Sequence, residues 1–277
     1  MVRKTVWVVF MLSLSLVLYT LISTRTQTGT DVIMGGETGA FIRADSVSFA
    51  DVKTTPSPEP TVDIWPKLTQ DDFSDREELR LVNNKNLLAS AFEPEVERIA
   101  ITKYQMFSSK YISHLNDFLQ LLIDQGYTPY IAASYRSYSW QSQLFNTKAS
   151  QIAYEMSGGK NVDYTDPIYQ DAAKQAESIT MKAGASEHQL GLAVDILDRE
   201  RTRLIYENMD QEFFAFVDAH CAEYGFIKRY PTRKMLLTGW DEPWHYRYVG
   251  QEVATFIMDQ GISYEEFYAH YFPDFSY

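Results

Sequence analysis

Four side chains in two short stretches hold most of the chemistry this sequence can offer. His188 and Asp195 lie in Ser186-Glu187-His188-Gln189-Leu190-Gly191-Leu192-Ala193-Val194-Asp195, and Glu242 and His245 lie in Glu242-Pro243-Trp244-His245-Tyr246. Two imidazoles and one carboxylate are three ligands for a zinc ion and leave a fourth position for water. A second carboxylate nearby can take a proton from that water and pass it to a leaving amine. Together they read as a mononuclear zinc hydrolase. A histidine or aspartate alone would more commonly be structural, and it is the combination that points to a metal. A structural zinc usually closes with four protein ligands, and His114, His220 and His270 have no motif context that would supply the fourth.

The local patterns say how these groups are carried. Leu192, Val194 and Ile196 alternate with Ala193 and Asp195, a period of two that predicts a strand with Asp195 turned away from the core. His188, before Gly191, falls in the loop that leads in. Pro243 excludes a regular helix through Glu242. Trp244, Tyr246 and Tyr248 alternate with His245 and Arg247, so His245 projects from a strand on the face opposite the aromatics, with Glu242 just outside that strand. Arg136 follows a buried strand over Thr128 to Ser134. Its guanidinium could steady charge on a tetrahedral intermediate or clamp a carboxylate, although a surface arginine is an equal reading.

Around these strands the sequence predicts helices. One starts at Pro94, with Glu95 and Glu97 suited to its N-terminal end. Another spans about Lys110 to Asp124, with Ile112, Leu115, Leu119 and Leu122 on one stripe. Further helices are expected over Ser139 to Ser157, Pro167 to Ala183, Asp210 to Tyr224, Gln251 to Asp259 and Tyr264 to His270. Helices and short strands mix without regular alternation, which favours an α+β fold.

The N-terminus is of another kind. Residues 1–4 carry Arg3 and Lys4, and an uncharged apolar run follows over residues 5–22, about 27 Å long as a helix. This predicts a signal anchor, a transmembrane helix with its tip in the cytoplasm and the remainder exported. Leu21-Ile22-Ser23-Thr24-Arg25 is a poor cleavage site, so secretion after cleavage is the lesser alternative. Residues 23–63, rich in Thr, Ser, Gly, Asp and Pro, read as a flexible linker, and residues 64–277 as the catalytic domain. The net charge of -12 repels phosphate backbones and argues against nucleic acid as a partner. Cys221 is the one cysteine, which excludes an intramolecular disulfide and a cysteine zinc site, and it reads as a buried free thiol on a helix.

Three blocks in order, Tyr135-Arg136-Ser137-Tyr138-Ser139-Trp140-Gln141, Ser186 to Asp195, and Glu242-Pro243-Trp244-His245-Tyr246-Arg247-Tyr248-Val249-Gly250, resemble the signature blocks of VanY-type D-alanyl-D-alanine carboxypeptidases. The resemblance implies zinc bound by His188, Asp195 and His245, with Glu242 as general base and Arg136 stabilising the oxyanion. It implies that Ser186 helps hold the terminal carboxylate of the peptide, and that Gln141, Tyr135 and Ser137 belong to the substrate pocket. The implied fold is a small antiparallel sheet with helices around it, like that of hedgehog and DD-peptidase domains. The implied substrate is a peptidoglycan stem peptide ending in D-alanine. Trimming of tetrapeptide stems by an LD-carboxypeptidase shares the same machinery, and a wall-binding module without catalysis is the alternative of another class. The sequence departs from the family where Arg-Pro-Gly often precedes the Ser-x-His block: here it reads Lys182-Ala183-Gly184-Ala185, and the proline is lost.

Overall fold

The computed structural model describes residues 64–201 and 204–276. The expected cytoplasmic tip (1–4), signal anchor (5–22) and linker (23–63) lie outside the described residues. Among those described, no helix is long and apolar enough to cross a membrane.

In chain order the elements are α1 (Asp72–Asp75), β1 (Val96–Arg98), β2 (Met106–Ser108), α2 (Ile112–Asp124), β3 (Tyr130–Ala133), α3 (Tyr138–Met156), α4 (Pro167–Ala176), β4 (Ala193–Leu197), α5 (Gln211–His220), β5 (Phe226–Tyr230), α6 (Met235–Thr238), β6 (Glu242–Tyr248), α7 (Gln251–Gln260) and α8 (Tyr264–Tyr271). Strands β3, β4, β6 and β5 form one antiparallel sheet in that order, and β1 and β2 form a separate hairpin. The α+β architecture expected from the sequence is the one observed.

The alternation of each strand sorts its side chains between two faces. One face carries Val194, Ile196, Phe226, Tyr246 and Tyr248 into a core shared with Leu115, Phe118, Leu119 and Leu122 of α2 and Phe213, Phe214 and Val217 of α5. Burying each such side chain contributes about 1.5–3 kcal/mol, which holds α2 in place although it has no side-chain N-cap. The opposite face carries Asp195, His245, Arg247, Ile227 and Arg229. Its β5 end is covered by a second core, where Ile227 meets Val253 and Ile257 of α7 and Tyr264 and Phe267 of α8. Helices α3 and α4 pack on each other, and their buried residues include the small Ala149, Ala153, Ala172 and Ala176, which allow close approach.

Three expectations are corrected. The helix expected from Pro94 is the β1–β2 hairpin: Ile99 N–H bonds the Gln105 carbonyl and Ser109 N–H the Glu95 carbonyl, so the chain reverses before a helix could bury a face. Helix α4 ends at Ala176 rather than Ala183. The chain then turns, with Ile179 and Thr180 N–H groups both returning to the Ala176 carbonyl. The helix expected to reach Tyr224 gives way to a 3₁₀ turn over Cys221–Tyr224, and Gly225, at φ 85°, turns the chain into β5, a strand the sequence did not announce.

Candidate active site

The register of the sheet sets Asp195 directly opposite His245 on neighbouring strands β4 and β6. Residues so paired have Cβ atoms about 5 Å apart on one face, so two of the candidate ligands meet by strand pairing alone. His188 arrives differently. It stands in a 3₁₀ turn, Glu187–Leu190, closed by Gly191 at φ 70°, a left-handed conformation that lets the chain enter β4 at once. The end of β3 pins this turn from the side: His188 Nδ1 lies 2.7 Å from the Ser134 carbonyl oxygen, and Arg136 N–H bonds the His188 carbonyl at 3.1 Å.

The donor atoms therefore converge. Asp195 Oδ1 is 3.0 Å from His245 Nδ1 and 3.5 Å from His188 Nε2. One ligand atom from each of the three residues lies within 4.8 Å of the others, and all three residues are buried. Donors about 2.1 Å from a zinc ion at tetrahedral angles stand about 3.4 Å apart, so this set fits zinc in spacing as well as type. His188 Nδ1–H donates to the Ser134 carbonyl, which leaves Nε2 with its lone pair turned inward. Burial, helped by the Arg136 charge, lowers the His188 imidazole to about 4. Burial works against the charge on Asp195, but the two imidazoles outweigh it and hold that carboxyl well below the usual range.

Glu242 opens β6, and its Oε2 lies 3.9 Å from His245 Nδ1. In a regular strand, residues three apart face opposite sides. Here the pairing jumps from Lys228↔Tyr246 to Tyr230↔Glu242, so β6 carries extra residues in a bulge. Bulges re-aim side chains, and this one turns Glu242 onto the His245 face and brings Trp244 to the cleft wall. Glu242 thus lies inside the strand rather than outside it, while Trp244 keeps the contact with the far-face core that the alternation predicts. Burial pushes the Glu242 carboxyl up to about 7 against the pull of His245.

Arg136 enters the same cleft. Its Nη2 is 3.4 Å from Ser186 Oγ, and its buried Nε has no hydrogen-bond partner among the described residues. The cleft encloses about 270 Å³, and Met181, Leu204, Tyr230 and Trp240 are among the residues that wall it. Gln141, Tyr135 and Ser137 do not line it. Gln141 is buried and donates from Nε2 to the Met181 carbonyl at 2.6 Å, so it braces a cleft wall from behind. Ser137 caps α3 by accepting from Trp140 N–H, and Tyr135 N–H bonds the Met106 carbonyl. Sequence reasoning assigned nothing to Glu187, which lies fully buried against His245, or to Trp240 and Tyr230. Trp240 stands two residues before Glu242, but nothing in its spacing distinguishes it from a core tryptophan. The other histidines lie elsewhere: His114 on the Tyr248 ring, His220 beside Glu223, and His270 stacked on Trp65. Cys221 is buried, and burial pushes its thiol up.

A model of the VanY family, described as D-alanyl-D-alanine carboxypeptidase, matches residues 105–251. The chain is 33% identical over 190 residues to a D-alanyl-D-alanine carboxypeptidase of Enterococcus faecalis, and the match covers 68% of this chain and 65% of that protein. It is 29% identical over 200 residues to the putative carboxypeptidase YodJ of Bacillus subtilis, covering 69% and 66% of the two chains. Among solved structures, a variant of the vancomycin-resistance D,D-pentapeptidase VanY crystallised with Zn(II) matches with a TM-score of 0.55 and 32% identity, covering 69% of this chain and 99% of that one. The LD-carboxypeptidase LdcB matches with a TM-score of 0.54 and 28% identity, covering 69% and 85%.

Proposed function

Because the chain belongs to the VanY family of D-alanyl-D-alanine carboxypeptidases, we propose that it is a zinc-dependent carboxypeptidase that removes a C-terminal D-alanine from peptidoglycan stem peptides. The observation that carries this reading is the convergence of His188, Asp195 and His245 in one cleft with Glu242 and Arg136 beside them. The related VanY structure holds Zn(II), and a second, VanYB, is in complex with D-alanine-D-alanine.

A zinc ion held by the three ligands would supply Lewis acidity toward a carbonyl oxygen and a water molecule. The protein's own groups account for the remaining requirements. Glu242, with its carboxyl near 7, can accept a proton from the attacking water and give it to the departing amine. Arg136 has a buried N–H without a hydrogen-bond partner among the described residues, and its charge can meet the negative charge that develops on the attacked carbonyl. Ser186, 3.4 Å from Arg136, offers a hydroxyl to the terminal carboxylate. Gln141 keeps the Met181 wall in place while the substrate binds.

The likeness to LdcB favours a second reading, in which the tetrapeptide is trimmed after its third residue. The uncharged run over residues 5–22 behind Arg3 and Lys4 supports placing the enzyme outside the cytoplasm, tethered to the membrane through residues 23–63. Defined tri-, tetra- and pentapeptide stems incubated with the zinc-loaded protein and followed by mass spectrometry test the reaction. Loss of one D-alanine from the pentapeptide is expected. Turnover of the tetrapeptide alone would replace the first reading by the second, and no turnover of any stem would remove both.

A further inference from the structure

Beneath His245 lies a buried charge network that the chemistry above does not use. Glu187 Oε2 is 3.3 Å from His245 Nε2. Its other oxygen, Oε1, accepts from Arg229 Nε at 2.8 Å and faces Arg247 Nη1 at 3.3 Å. The remaining two nitrogens of Arg229 donate to both oxygens of Glu265 on α8, at 2.9 and 2.6 Å. Arg247 donates from Nε to the Tyr248 carbonyl and from Nη2 to the carbonyls of Glu78 and Arg80, both at 3.1 Å. The side chains of Glu187, Arg229 and Arg247 are wholly inaccessible to solvent.

A carboxylate so buried must be paired and hydrogen-bonded. Arg229 donates to Oε1 and the Arg247 charge lies against the same oxygen, which leaves Oε2 for His245. An ionised carboxylate only accepts hydrogen bonds. The proton in the Glu187–His245 contact therefore belongs to Nε2, and the proton that Nδ1 shares with Asp195 Oδ1, 3.0 Å away, is the one a zinc ion would displace. We infer that Glu187 is a positioning residue for the metal, holding His245 as the Nε2–H tautomer that presents Nδ1 to zinc, and that Glu265 and the Glu78–Arg80 backbone hold Glu187 in turn. Both anchors lie outside the family-matched residues 105–251. The inference rests on the zinc reading proposed above. Carboxylates behind ligand histidines typically contribute 10–100-fold in metal affinity.

Glu187→Gln is the informative substitution. The arginines require an oxygen, so the amide nitrogen would turn toward His245, demand an acceptor at Nε2 and drive the proton to Nδ1. Zinc affinity by chelator competition should fall about 10–100-fold. Asp198→Asn is the control for a merely structural effect. The Asp198 side chain is also largely buried and paired with Arg201, and neither residue takes part in this network. That variant should melt earlier with zinc affinity unchanged. Ring ¹⁵N NMR of the zinc-loaded wild type should show His245 protonated at Nε2, a readout that decides the matter even if Glu187→Gln does not fold. Coordination through Nε2, or wild-type zinc affinity in Glu187→Gln, would overturn the inference and leave the proposed function standing. A wild-type chain that binds no zinc would overturn both.

Discussion

At the scale of single residues, Glu242 and Asp195 are two carboxylates a short distance apart with opposite tendencies. Asp195 is held ionised by two imidazoles, whereas burial pushes Glu242 up to about 7. Groups so separated divide the work of ligand and proton carrier. Glu242 also stands outside the set of donors that gather within 4.8 Å. Glu242→Gln should therefore retain zinc at wild-type stoichiometry while D-alanine release slows by at least about 100-fold, as expected for loss of a general base. Metal analysis and turnover on the same preparation check this, and zinc lost together with activity would make Glu242 a ligand instead. The residue types and spacings of His188, Asp195, Glu242 and His245 were legible in the sequence because their chemistry is rare in combination. Glu187 was not, although it adjoins His188. Its role depends on Arg229 and Arg247, which come from strands β5 and β6. A glutamate in a loop reads as solvated until those strands are in place.

At the scale of elements, the site depends on turns as much as on strands. The alternation of Val194, Asp195 and Ile196 disclosed β4, since burial of one face imposes a period of two. The β6 bulge was invisible, because it exists only relative to β5. The helix expected at Pro94 failed for a related reason: local end-capping signals favoured it, but pairing with β2 decided the outcome. The turn before the Ser186 block lacks the proline frequent in the family and keeps Gly184, at φ 87°. A Cβ there would approach the Leu88 carbonyl oxygen to 2.8 Å, and Leu88 N–H bonds the Gly184 carbonyl, so the neighbour has little freedom to move. Gly126, at φ 89°, has nothing within 4 Å of the same position. Gly126→Ala should cost about 1 kcal/mol for the left-handed backbone alone. Gly184→Ala should cost at least about 1 kcal/mol more, from the added clash. Paired denaturant titrations measure the difference, and equal costs would show that the loop carrying Ser186 and His188 yields freely.

At the scale of the whole molecule, the family-matched segment and the folding unit differ in extent. Residues 105–251 contain every candidate ligand but omit β1, the Glu78 and Arg80 carbonyls that hold Arg247, and α8 with Glu265. Ending the chain at residue 251 also strips Tyr264 and Phe267, both fully buried, from the core over Ile227 and Val249. Each of those rings contributes about 1.5–3 kcal/mol by burial. Removing Glu265 leaves Arg229 without its bidentate partner, a loss of about 3–5 kcal/mol for a buried pair. The sum, roughly 6–11 kcal/mol, is as large as the net stability of an ordinary domain, about 5–15 kcal/mol. A fragment of residues 105–251 should therefore show no cooperative melting transition and bind no stoichiometric zinc, whereas residues 64–277 should do both. Circular dichroism melts and metal analysis of the two fragments separate the cases. A folded, zinc-loaded 105–251 fragment would mean that the arginines find other partners and that the flanking helices are dispensable to the metal centre.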